Sequence, residues 1–110
     1  MTLIAETVAA IAAQSVTAES LIDQARERAQ RAADLNPIAH VDWDAALAVA
    51  RERDAQARAG ARLGPLHGAP ISIKDLFNVN GMPTRGGTRA PLPELSANEA
   101  SLVTRLREAG

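Results

Sequence analysis

Five glycines and three prolines fall within GPLHGAPISIKDLFNVNGMPTRGGT, residues 64–88, and that density of breakers confines long regular structure to the chain on either side. Inside the stretch only Ala69–Ile73 is apolar enough to predict a strand, which would point Ala69, Ile71 and Ile73 one way and Pro70, Ser72 and Lys74 the other. Its continuous apolar look is that of a strand covered on both faces, and such strands need several parallel neighbours. The run ends abruptly in a lysine.

Upstream the pattern is helical. Alanine supplies 24 of the 110 residues, most of them at helix spacing, which favours close helix packing. Leu3/Ile4, Val8 and Ile11/Ala12 predict a short helix over residues 2–14. Thr17 caps a second helix running to about Leu35, with Leu21/Ile22, Ala25, Ala29 and Ala32 on one face and Glu27 and Arg31 paired on the solvent side. Asn36-Pro37 ends it. Ile38–Trp43 alternates weakly and predicts a second short strand. A third helix from about Asp44 to Ala59 is closed by Gly60, with Asp54 and Arg58 spaced for a surface pair. Ser96 and Glu99 fit a capping box for a last helix through Leu102/Val103, Leu106 and Ala109.

This inventory predicts an α/β fold, mostly helical with two short strands, and it lacks the neighbours that the strand at 69–73 requires. The expectation is the opening portion of a larger domain, weakly cooperative and prone to self-association by itself, with no separate second domain. Composition removes several functions. A formal net charge of −1 and only two aromatics, Trp43 and Phe77, argue against nucleic acid. Absent cysteine removes disulfides, thiolate metal sites and a Cys nucleophile, and suits a reducing cytosol. No secretory leader and no long apolar run is visible, so the expected location is cytoplasmic, away from membranes. His40 and His67 stand alone, without a metal-ligand spacing, and predict ordinary hydrogen-bonding roles. Neither a P-loop nor a dinucleotide fingerprint is present.

Lys74 leaves the predicted strand at its carboxyl end, where ligands of α/β sheets collect. Burial there would disfavour the charged form and leave a neutral amine able to take a proton from a hydroxyl. The plainer reading is a lysine reaching from a strand end to water, or pairing with Asp75. An ionised carboxylate beside the amine would hold it charged, so Asp75 suits the following loop better than it suits a neutral base.

Pro65-Leu-His-Gly-Ala-Pro-Ile-Ser-Ile-Lys-Asp75 followed by Gly81, Thr84 and Gly87-Thr88 resembles the P-L-x-G-x-P-x-x-x-K-D and G-x-x-T-x-x-G-[ST] block of the amidase signature family. More loosely, the order of elements before it and EASLVTRLREAG at residues 99–110 are similar too. The resemblance implies that residues 1–110 are the N-terminal portion of a single amidase domain, whose mixed sheet is flanked by helices. It implies hydrolysis of a small carboxylic amide through a Ser–cis-Ser–Lys triad, without metal or cofactor, with Lys74 as the base acting through a bridging serine. The serines here, at 15, 20, 72, 96 and 101, lie in no glycine- and serine-rich segment of the kind that carries the family's nucleophile, so this chain alone is expected to be inactive. Ser72 stands where relatives carry a small aliphatic residue. Gly68 and Pro70 read as strand-entry residues, and Gly86, Gly87 and Thr88 as a turn or an active-site edge. The expected partner is a small amide, with a homo-oligomer left open. A non-catalytic helical scaffold or interaction module is the alternative.

Overall fold

The computed structural model describes residues 3–90 and 98–110. Four α-helices carry its regular structure: α1 (Ile4–Ala12), α2 (Ala18–Arg31), α3 (Trp43–Arg58) and α4 (Ser101–Glu108), with a 3-10 turn at Ala33–Leu35 after α2. The first three form the packed part. Ile11 of α1, Ala18 of α2 and Ala50 and Ala57 of α3 are buried together, with Val16, Leu21, Ile22 and Leu63 closing over them. Small side chains on α3 let its backbone approach α2 closely, and Ile11, 1% exposed, is the one large side chain fully enclosed among the described residues.

Local chemistry sets the ends. Gln14 at φ 59° follows α1, and the Ser15 and Gln14 amides donate to the Ala10 and Ile11 carbonyls, a Schellman closure. Gly60 at φ 70° repeats it after α3, where Ala61 and Gly60 donate to Gln56 and Ala57. Here the left-handed residue is the expected glycine. At the start of α2 the Thr17 hydroxyl accepts from Ser20 N–H at 3.0 Å, as its spacing predicts. The other two amides of that turn go elsewhere. Ala18 and Glu19 N–H donate to the Asp54 carboxylate of α3 at 2.7 and 3.1 Å. Asp54 is therefore buried and bridges two helices, in place of the surface pair with Arg58 expected from the spacing.

Neither expected strand forms among the described residues. A strand exists only through its ladder, and no described extended segment lies beside Ala69–Ile73 or Ile38–Trp43 to complete one. At the second of these Asp42 caps α3, accepting from Ala45 N–H at 2.9 Å, while Ile38 and Val41 stay exposed along an open groove with Ala29, Pro37 and Trp43. The α/β expectation thus resolves, among the described residues, to an all-helical frame. The predicted capping box at α4 is also displaced: the helix starts at Ser101, capped by Ala100, and Ser96 lies outside the described residues. The accessible surface is 7784 Å², against about 5,800 Å² for a compact monomer of this mass. Ile71, Leu76 and Phe77 all face solvent.

Candidate active site

The lysine block begins pinned and ends in a loop. His67, 3% exposed, sets its Nε2 2.9 Å from the Arg53 carbonyl of α3, which is the hydrogen-bonding role expected of it. Leu66 and Gly68 N–H donate to the Ala109 and Gly110 oxygens after α4 at 3.0 and 3.1 Å. Gly64 faces the same place, and a Cβ there would run into the Ala109 carbonyl. Gly68 needs its glycine twice over: φ is 71°, and a Cβ would sit 3.0 Å from both Ala18 Cβ and Ile11 Cδ1. The entry to residues 69–73 is thereby fixed to the helical core at one end and to α4 at the other.

That close approach predicts a measurable cost. Gly64→Ala should destabilise the chain by about 2–3 kcal/mol, because backbone on both sides must part, and should release the Leu66 amide to rapid exchange. Chemical denaturation within about 0.5 kcal/mol of the parent, with Leu66 still protected, would contradict the contact.

Six residues beyond Gly68, Lys74 stands exposed at the head of a loop. Its carbonyl accepts from Leu76 and Phe77 N–H at 2.7 and 3.1 Å, so the chain turns back immediately after it. Asp75 closes the loop at its base: its carboxylate accepts from Arg85 N–H and its carbonyl from Gly86 N–H, each at 2.9 Å. Among the described residues no carboxylate lies within ion-pair distance of the Lys74 amine. The Asp75 carboxylate is spent on the loop, the role expected of it from the sequence. Gly86 and Gly87, at φ 56° and 77°, then make the tight turn that leads to Thr88. Thr84 is buried, and its hydroxyl has no hydrogen-bond partner among the described residues.

Glu99, which sequence spacing placed in a helix cap, holds the tip of this loop. Its carboxylate accepts from Asn80 N–H at 3.2 Å, from the Thr104 hydroxyl at 3.0 Å and from Arg107 Nε at 3.0 Å. Ala100 N–H donates to the Asn78 carbonyl alongside, at 2.9 Å. The Asn80 amide above all, with the Thr104 and Arg107 donors, holds the Glu99 carboxyl below the usual carboxylate range, against desolvation that pushes the other way. A carboxyl depressed in the folded state stabilises the fold above its unfolded value, and that contribution is lost as pH falls through the depressed one. No local pattern announces this contact.

The serines are not gathered around Lys74. Ser15 and Ser20 hydroxyls donate to the Ala10 and Thr17 carbonyls at helix ends, and Ser72 and Ser101 are exposed. Among the described residues no group of His, Asp or Glu could hold a metal ion, and no helix is long and apolar enough to cross a membrane.

The chain belongs to the amidase family, whose model matches residues 20–110. A glutamyl-tRNA(Gln) amidotransferase subunit of Acidothermus cellulolyticus is 40% identical over 96% of this chain and 21% of its own, and an acylamidase of Rhodococcus erythropolis is 41% identical over 69% of this chain and 16% of its own. A crystal structure of an amidase superposes with a TM-score of 0.89 and 44% identity over 99% of this chain and 25% of that one. The frame described above is thus an amidase-fold frame, and the chain spans about a fifth of the length of the curated relatives it matches.

Proposed function

We propose that this chain is the lysine-bearing part of an amidase that hydrolyses a small carboxylic amide, with Lys74 as the proton-accepting amine of a Ser–cis-Ser–Lys triad. The observation that carries the reading is the loop itself. Within the family-matched residues, a lysine with no described counter-ion beside it heads a loop that its own next residue, Asp75, ties shut. In this reading the nucleophilic and bridging serines come from the greater length that the relatives possess. The same length covers Ile71, Leu76 and Phe77, and with them the lysine, taking the amine out of water so that it can deprotonate a hydroxyl. The hydroxyl oxygen bonds to the amide carbonyl carbon, the proton held by the lysine passes to the amide nitrogen, and the C–N bond breaks to release ammonia or a substrate-derived amine and leave an acyl-enzyme. Water then hydrolyses the ester and restores the serine.

A second reading shares the chemistry and changes the substrate. Amidotransferase subunits from Acidothermus cellulolyticus and Bordetella petrii are 40% and 42% identical over nearly the whole chain, which favours the side-chain amide of glutamine. The 44% identity to an amidase over 99% of the chain favours a free-standing hydrolase. Ammonia release by the protein expressed from its complete gene separates the two. Turnover of simple aliphatic or aromatic primary amides at least about 10-fold above glutamine (about 1.4 kcal/mol in the barrier) is the result expected. Glutamine preferred over every simple amide would move the assignment to the second reading, and release from neither would remove both.

A further inference from the structure

Loop 74–86 is held at two places, and only one of them adjoins the lysine. At its base Asp75 binds Arg85 and Gly86, which fixes the two ends of the loop to each other. Beside the lysine Leu76 and Phe77 are exposed, so packing there restrains the ring only in part, and Thr84 is the one buried residue within it. At its tip the loop meets α4. There the Asn80 amide reaches Glu99, and Glu99 is itself secured by Thr104 and Arg107 one and two turns further along the helix. α4 is in turn joined to the entry of the block through the Ala109 and Gly110 oxygens, so the helix connects both ends of the segment that bears the lysine. Beside the main-chain bond from Ala100 N–H to the Asn78 carbonyl, Glu99 is the side chain in that connection: it is only 8% exposed, and three donors from two elements converge on it.

We propose that Glu99 is a positioning residue for Lys74, clamping the tip of the lysine loop onto α4 so that the amine occupies one place relative to the group it deprotonates. The inference rests on Lys74 being the base. Proton transfer requires hydrogen-bond reach, and a displacement of about 1 Å can cost about 100-fold in rate. With the Glu99 contacts removed, one main-chain bond, from Ala100 N–H to the Asn78 carbonyl, is left at the tip, and a loop held there by a single bond permits displacements of that size.

Two measurements on the protein expressed from its complete gene test this. Hydrogen exchange reads the clamp without reference to activity: Glu99→Gln should accelerate exchange at the Asn80 amide, and at Arg85 and Gly86 behind it, by about 10-fold or more. Steady-state kinetics reads the positioning: Glu99→Gln should lower kcat by about 10-fold with KM changed less than about 2-fold, Glu99→Asp should recover part of the loss, and Arg107→Met, which removes one exposed anchor, should give a smaller loss of the same kind. Unchanged exchange at Arg85 and Gly86 overturns the clamp. Faster exchange with unchanged kcat overturns the positioning role while leaving Lys74 as base. A general loss of protection across α2 and α3 would show that Glu99 serves the whole fold, which also overturns the proposal. Failure of the underlying assignment looks different, because turnover would then survive Lys74→Ala.

Discussion

Lys74→Ala, in the protein expressed from its complete gene, is expected to lower kcat for amide hydrolysis by about 10³–10⁴-fold, with folding intact. The size follows from the role. A general base contributes about 10²–10⁴, and a serine hydroxyl without one is a weak nucleophile at neutral pH. The preserved fold follows from the structure, since Lys74 is exposed and no described carboxylate pairs with it, so its removal opens no cavity and strands no charge here. Lys74→Arg sharpens the test. It keeps the positive charge and most of the length, but a guanidinium does not surrender its proton in a protein and so cannot act as base. Arginine should therefore be nearly as inactive as alanine. If arginine restored turnover while alanine abolished it, Lys74 would be binding an anionic or polar part of the substrate, and the proton would be moved by another group.

What could be read along the chain depended on how far each interaction reaches. The helices at 4–12, 18–31 and 43–58 fall within a few residues of their expected spans because their signals are local. Thr17 lies three residues from the amide it caps, and Gly60 directly follows the helix it closes. The half-buried face of α2, Leu21, Ile22, Ala25 and Ala29, with Ala32 just past its end, repeats at the helical period and needs nothing else to be found. The strands fail for the opposite reason. An apolar run such as Ala69–Ile73 is necessary for a buried strand, but the ladder that makes it one belongs to other segments. The lysine block was legible as a pattern of residue types and Asp75 as a loop residue. Its geometry was not, since Gly64 against Ala109 and Asn80 against Glu99 are encounters between distant parts of the chain. Glu99 satisfied a local rule, the capping box, that gave it an adequate role in the wrong place. Thr104 and Arg107 offered a hint, because both follow it on the face it would share at the start of a helix, but nothing in that spacing points to Asn80.

Asp54 shows the same competition between a local rule and a distant partner, and it carries the largest expected effect on stability. An acid four residues before Arg58 satisfies the helix-surface pairing rule, yet it stands on the stripe of Ala50 and Ala57, which is the buried face of α3. Its carboxylate accepts the first two amides of α2 across 36 and 35 residues of sequence, and Thr17 takes the third. Together the two side chains satisfy every donor of that first turn, at the helix end where the backbone dipole favours negative charge. Asp54→Ala should therefore cost about 3 kcal/mol, the sum of a lost charged cap and two amides, one buried and one part-buried, left without acceptors. That corresponds to about 10 °C or more in the unfolding midpoint of a chain this size. Asp54→Asn, which keeps one acceptor oxygen, should lose about half as much. Thr17→Ala, at the same helix end but facing solvent, should cost about 1 kcal/mol, and less than that in the Asp54→Ala background if the first turn frays once its buried cap is gone. Equal losses for Thr17→Ala and Asp54→Ala would mean that Asp54 contributes no more than an exposed cap, and that the α2–α3 contact is held by the alanine packing alone.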